Sequence, residues 1–142
     1  MNRRDRLHHQ PIINRPKLFL KNNKKIIFWV IVNLEVWDPD LPQPRNILPP
    51  PMNVPMLPDL PNWSWHEYGM RVGFWRMFKA LKDRGIPSTL ALNATVVDHY
   101  PETVEAAMKE NWEPMGHGYI QRPMHKVENQ FVDIKSAIKK IE

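Results

Sequence analysis

The sequence contains no cysteine among its 142 residues. Disulfides, thiolate metal sites and a cysteine nucleophile are therefore excluded. The absence fits a reducing compartment, and we expect a cytoplasmic protein. Long apolar runs are also missing. The run Ile26–Val32 is too short for a membrane span or for the hydrophobic region of a signal peptide, and no small-residue cleavage site follows it. We therefore expect no membrane association.

Acidic residues are scarce in the first 25 residues, which hold one of them against eight basic residues, a net charge of +7. The remainder holds 12 basic and 14 acidic residues, a net charge of −2. The basic character therefore belongs to an N-terminal arm, residues 1–25, and not to the body. The arm can bind phosphates, but it lacks the interleaved aromatic residues of a single-strand binder. We expect a solvated extension and no nucleic-acid partner.

Proline is abundant, and nine of the 15 prolines fall within residues 39–61. Proline disfavours both helix interiors and central strands, so this segment is predicted to be a loop. Its length is typical of a functional or covering loop. A disordered proline-rich linker is the alternative.

Apolar runs and helical stripes alternate along the rest of the chain. Ser64 and Glu67 fit a capping box at the start of the first helix, which is predicted to bury a stripe that includes Tyr68, Val72 and Trp75. The order of elements predicts one α/β domain over residues 26–142, with a parallel sheet and right-handed crossovers. The predicted strands are 26–32, 88–92 and 112–116, and the predicted helices are 64–84, 101–110 and 127–141.

Polar side chains follow each predicted strand: Glu35 after the first, Asn93 after the second and His117 after the third. The carboxyl ends of parallel strands share one edge of a sheet, where sites are commonly built. We therefore expect a carboxylate, an amide and an imidazole to converge there. The alternatives are a solvated carboxylate, a turn-forming asparagine and a surface histidine in a glycine-rich turn.

Three stretches resemble the polysaccharide deacetylase superfamily, specifically its allantoinase-like branch. They are Pro61–Arg76 (PNWSWHEYGMRVGFWR), Gly85–Asn93 (GIPSTLALN) and Gly116–Gln121 (GHGYIQ). The resemblance extends from about Arg15 to the C-terminus. It implies a distorted (β/α) barrel, of which this chain would be the N-terminal part, since a closed barrel typically takes about 250 residues. We therefore expect a truncated barrel.

The resemblance implies a hydrolase of non-peptide C–N bonds, acting on N-acetyl sugars or on cyclic ureides. In metal-dependent members two aspartates follow the first strand and a His-x-x-x-His pair supplies further ligands. Here Glu35 and Val36 replace the aspartates, and Gln121 stands where the second histidine would follow His117. The resemblance thus implies a metal-independent enzyme with no cofactor. A divalent metal at His117 is the alternative.

By alignment with the family motif, Glu35 takes the base position and His117 that of the first histidine. We hypothesise that Glu35 is the general base and His117 the acid or oxyanion partner. From their chemistry, the candidate substrate-binding residues are Asn93, Gln121, Arg71 and Trp37. The alternative to substrate binding is an ion pair with Glu67 for Arg71 and a packing role for Trp37. The expected ligand is a small-molecule or saccharide substrate. Assembly into a homo-oligomer is a further possibility. The competing hypothesis is a truncated, non-catalytic chain that is stable or active only with a partner chain.

Overall fold

A computed structural model describes residues 9–43 and 47–142. Residues 9–25 contain two short 3-10 turns and no α-helix or strand; the rest of the predicted arm, and residues 44–46 of the proline-rich loop, lie outside the described residues. The regular elements, in chain order, are β1 (Val30–Leu34), α1 (Leu60–Tyr68), a π-helical turn (Gly69–Gly73), α2 (Phe74–Lys82), β2 (Ser88–Leu92), α3 (Val96–His99), α4 (Pro101–Lys109), β3 (Glu113–Gly116) and α5 (Gln130–Ile141).

The three strands form a parallel sheet in the order β1-β2-β3. Leu92 at the end of β2 is level with Leu34 of β1 and with Gly116 of β3, so all three strands end together. The predicted α/β class and parallel sheet are confirmed. Across the described strands the sheet is open, and its closure into a barrel stays a prediction.

The hydrophobic core surrounds β2, which is buried along its whole length. Phe74 of α2 contacts Trp112 edge-on, with ring centroids 6.4 Å apart, and this contact ties α2 to the residue before β3. Burial of such large aromatic and aliphatic side chains is the main stabilising term in a domain of this size. The buried cluster comprises Val32, Leu34, Met70, Phe74, Leu90, Leu92, Val96, Ala107 and Trp112.

The first strand differs from its prediction. A continuous apolar run such as Ile26–Val32 is typical of a strand buried on both faces, but β1 begins at Val30 and buries only Val32 and Leu34 among its five residues. The preceding residues are exposed, with Phe28 at 81%. The reason is that β1 lies at the edge of the sheet and its pairing begins where Val30 meets Ser88, the first residue of β2. The apolar run therefore extends beyond its partner strand.

The first helix also starts earlier than predicted. Asp59 is the N-cap, and its carboxylate accepts a hydrogen bond from the Asn62 N–H at 3.2 Å. Pro61 is accommodated because the first turn needs no N–H donor there. Ser64 therefore lies inside α1 and does not cap it. The segment predicted to be all loop contributes its last two residues to the helix.

The buried face of this helical region is rotated relative to the prediction. Met70 and Phe74 are buried, whereas Tyr68 and Trp75 of the predicted stripe are exposed. The π-helical turn explains the shift, because its wider turn changes which residues face the sheet. A single helical period cannot describe a helix that contains such a turn.

Four other elements follow their predictions closely, whereas the short helix α3 was not predicted. β2 has the predicted bounds, and β3 and α4 differ from theirs by one residue. α5 begins at Gln130, three residues later than expected, because Asn129 caps it by accepting from the Val132 N–H. In the described part of the chain, no helix is both long and apolar enough to cross a bilayer.

Candidate active site

The structure brings Glu35, Asn93 and His117 together at the carboxyl edge of the sheet. The Glu35 Oε1 and His117 Nε2 atoms lie 3.1 Å apart, within hydrogen-bond distance. The His117 backbone N–H donates to the Leu92 carbonyl at 2.9 Å, so the pairing of β3 with β2 continues to the histidine itself. The side chains that form the pair are therefore held by the ends of two different strands.

Asn93 ties the ends of the three strands to one another. Its Oδ1 accepts from the Val36 N–H at 3.0 Å, and its Nδ2 donates to the His117 carbonyl at 2.5 Å and to Gln121 Oε1 at 3.2 Å. Asn93 is 0% exposed. It therefore has no surface for a ligand, and its structural task differs from the predicted contact with substrate.

The Glu35 carboxylate is oriented by donors on both oxygens. Trp37 Nε1 donates to Oε2 at 3.1 Å, while Oε1 faces His117 and, at 3.5 Å, Asn33 Nδ2. The Glu35 side chain retains 22% exposure and that of His117 37%. Because both groups remain accessible, a small molecule or a water can reach them.

A cleft of about 700 Å³ opens beside Glu35, and His117 lies outside its lining. Its walls are mainly aromatic and aliphatic, which is typical of sites that bind small molecules. Glu35 supplies a carboxylate to the lining, and no lysine or arginine of residues 9–43 and 47–142 contributes to it. Trp37 and Gln121, both predicted to contact substrate, line this cleft, together with Trp65, His66, Met70 and Met77.

His66 is a member of the site that the sequence analysis missed. Its ring stacks on that of Trp37, with centroids 5.1 Å apart and planes inclined by 24°. Its Nε2 atom is buried with no hydrogen-bond partner among the described residues. Burial lowers the pKa of His66, and the nearby Glu35 partly opposes that effect. The available signal was the spacing of His66, Met70, Gly73 and Met77, which recur near the helical period and share the cleft wall.

Arg71 lies outside the cluster formed by Glu35, Asn93 and His117. Its Nε donates to Glu67 Oε2 at 2.8 Å, and its side chain is 70% exposed. Glu67 also accepts from the Tyr100 hydroxyl. Arg71 lines a separate depression with Trp75 and Tyr100. Of the two roles considered for Arg71, the structure contains the ion pair with Glu67.

The residues present do not fit a resident divalent metal. Val36 offers no donor and packs against the core, and Gln121 Oε1 already accepts from Asn93. No group of three His, Cys, Asp or Glu side chains in the described ranges could hold an ion. Structural and catalytic transition-metal sites use three or four such ligands. The independence of the reaction from metal stays a prediction.

No protein-family model and no curated protein matches the chain. Among solved structures, the crystal structure of Puue allantoinase is similar to it, with a TM-score of 0.55 and 26% sequence identity. The match covers 58% of this chain and 28% of that chain, so this chain corresponds to well under half of its neighbour. The likeness links the two at the level of the fold.

Proposed function

We propose that the protein is a metal-independent hydrolase of non-peptide C–N bonds, belonging to the allantoinase-like branch of the polysaccharide deacetylase family. The observation that carries the proposal is the contact of Glu35 with His117 at the carboxyl edge of a parallel sheet. The likeness to an allantoinase fold supports the reaction class. The cleft beside Glu35 supports a small neutral substrate, because Glu35 would repel an anion.

In the proposed mechanism Glu35 accepts a proton from water as the water oxygen bonds to the substrate carbonyl carbon. Protonated His117 hydrogen-bonds to the oxyanion that forms and then gives its Nε2 proton to the leaving nitrogen as the C–N bond breaks. The proton on Glu35 returns to His117 across their 3.1 Å contact. One water is consumed, and both side chains recover their starting states.

The other site residues orient these two groups and the substrate. Trp37 holds one Glu35 oxygen through its indole N–H. Asn93 fixes the oxygen of Gln121, which leaves the amide nitrogen of Gln121 to donate to a substrate carbonyl. The aromatic walls suit a planar cyclic ureide or the face of a sugar ring. Arg71 is left in its pair with Glu67.

The test is hydrolysis by the purified chain of two substrate sets, cyclic ureides such as allantoin and N-acetylated sugars, with ring opening or acetate release as the measurement. We expect Glu35→Gln and His117→Asn each to lower kcat about 10²-fold or more. Glu113→Gln is the matched control, because Glu113 is an exposed residue of β3 outside the cleft. Normal turnover by Glu35→Gln would remove that residue from the mechanism.

A separate measurement addresses metal independence. The chain is treated with a chelator, analysed for bound metals and assayed again. We expect unchanged turnover and no stoichiometric metal. Loss of turnover that a divalent ion restores would place a metal at His117 and contradict that part of the proposal.

A second candidate is a chain that is stable or active only when assembled with a partner. The exposed apolar side chains of two segments favour it: Ile26, Ile27, Phe28 and Trp29 before β1, and Phe131, Ile134 and Ile138 on α5. Sedimentation velocity over a range of protein concentrations tests it. A folded monomer that turns over substrate would exclude this candidate, and a concentration-dependent oligomer would favour it.

A further inference from the structure

We propose that His66 is a positioning residue: the face of its imidazole holds the Trp37 indole so that the indole N–H stays on the Glu35 carboxylate. The inference rests on the proposed role of Glu35. It assigns His66 an indirect part in the reaction, since its Nε2 atom is buried and makes no hydrogen bond to Glu35 or His117.

Trp37 lies on the loop after β1, where its side chain requires a neighbour to hold it in one rotamer. Glu35 and Trp37 are two residues apart in the loop after β1, and the hydrogen bond between their side chains places both on the same side of that loop. The indole can occupy several rotamers on a loop, and only some of them place Nε1 near the carboxylate. In the structure Nε1 lies 3.1 Å from Glu35 Oε2. A neighbour that packs on the ring face selects that rotamer.

His66 supplies the packing surface. The 5.1 Å centroid separation and the 24° angle between the rings describe an offset stack, the arrangement that aromatic pairs favour. His66 lies on α1, an element separate from the loop, and so offers Trp37 a fixed platform. The chain of contacts therefore runs from α1 through two rings to the proposed general base.

The unpartnered Nε2 of His66 indicates that the ring face, and not a ring nitrogen, performs this task. A buried nitrogen without a partner is destabilising, and a proton on it would be more so. Burial lowers the pKa of the imidazole and so disfavours its charged form. A phenyl ring of similar shape would stack in the same place without the unsatisfied nitrogen. The proposal therefore separates His66→Phe, which keeps the platform, from His66→Ala, which removes it.

The experiment measures the Trp37 indole N–H directly by ¹H–¹⁵N NMR, with the resonance assigned by its loss in Trp37→Phe. In His66→Phe we expect the chemical shift and slow solvent exchange of the wild-type resonance. In His66→Ala we expect a shifted resonance and at least tenfold faster exchange. His99→Ala is the matched control, because His99 lies on α3 and outside the cleft. If His66→Ala is poorly folded, His66→Leu keeps apolar volume but lacks a planar ring, and the same loss is expected.

Kinetics provide the second readout. We expect His66→Ala to lower kcat roughly tenfold with a smaller change in KM, and His66→Phe to restore kcat. In the Trp37→Phe background, His66→Ala should cause no further loss, because its effect passes through Trp37. An unchanged Trp37 N–H in His66→Ala, or a His66→Phe variant as impaired as His66→Ala, would overturn the proposal. If the wild type hydrolyses neither substrate set, the proposed function fails, and the NMR result still decides whether His66 positions Trp37.

Discussion

Two apolar segments of this chain lie in opposite environments. The residues of β2 are buried throughout, whereas the run from Ile26 to Trp29 is exposed, although it is the more hydrophobic of the two. The difference follows from neighbours: β2 pairs with β1 on one side and β3 on the other, and the run at 26–29 precedes the first paired residue. Position in the sheet, and not hydrophobicity, decides which segment forms the core.

The candidate site depends on both environments. Asn93, which continues β2, is fully buried and fixes the backbone of the strand ends. Glu35 and His117 follow the two outer strands and remain partly accessible. A rigid centre with accessible edges gives a defined geometry that solvent and substrate can reach.

The largest expected effect contrasts the two apolar segments directly. Leu90→Ala removes a side chain that is 0% exposed and should lower the free energy of unfolding by about 2–5 kcal/mol. Ile27→Ala, at a residue that is 69% exposed, should change it by less than about 0.5 kcal/mol. Urea unfolding of both variants measures the difference. A large, concentration-dependent effect of Ile27→Ala would instead reveal that the run at 26–29 is covered by another copy.

Two asparagines provide the next contrast. Asn93→Ala leaves the Val36 N–H and the His117 carbonyl without their partner in a buried place, so we expect a loss of about 1–3 kcal/mol or more. Asn129→Ala removes the cap of α5 at an exposed site and should cost about 1 kcal/mol. Urea unfolding with probes of α5 and of the core distinguishes local from global effects. Equal losses would show that Asn93 does not fix the strand ends.

The elements with strong local signals were the ones that sequence reasoning predicted best. The strand at Ser88–Leu92 and the helix that begins at Pro101 carry a compact apolar run and a proline suited to a first helical position, and both are present as expected. The predicted start of β1 was wrong because the partner strand determines where pairing begins. The predicted start of α1 was wrong because Asp59 and Ser64 are both residue types that cap helices. Which of them forms the cap depends on the conformation of the preceding loop.

The site was predictable to the extent that it follows from topology. Parallel strands bring Glu35, Asn93 and His117 to one edge, and the structure places them there. Exposure could not be deduced, and so Asn93 was expected to contact substrate. His66 was missed because the spacing of His66, Met70 and Met77 indicates a shared helix face but not the contact with Trp37, which joins residues 29 positions apart.

A smaller effect concerns the point where the exposed run contacts the buried strand. Trp29 is largely exposed, but its Nε1 donates to Thr89 Oγ1 of β2 at 2.8 Å. Trp29→Phe removes this hydrogen bond and should lower the free energy of unfolding by about 0.5–1.5 kcal/mol. Phe28→Leu is the matched control, since Phe28 is exposed. No difference between the two variants would mean that the contact adds no net stability.

The last contrast lies within one residue, Glu67, which binds the half-buried Tyr100 hydroxyl and the exposed Arg71. Burial, followed by the hydrogen bond to Glu67, raises the pKa of Tyr100 above its usual value of 10.0. Below pH 10 the folded and unfolded states both keep the phenol proton. Above it the unfolded state ionises first, so stability should fall as pH rises.

Tyr100→Phe should therefore flatten the decline of unfolding free energy above about pH 10, as measured by urea titration. Arg71→Gln should lower stability only slightly, because Arg71 is exposed and surface ion pairs contribute little. It should also leave the slope of that decline almost unchanged. If Arg71→Gln altered the slope as much as Tyr100→Phe, the alkaline decline would reflect the charge of the pair and not the buried phenol, and the contrast between buried and exposed contacts would not hold at this residue.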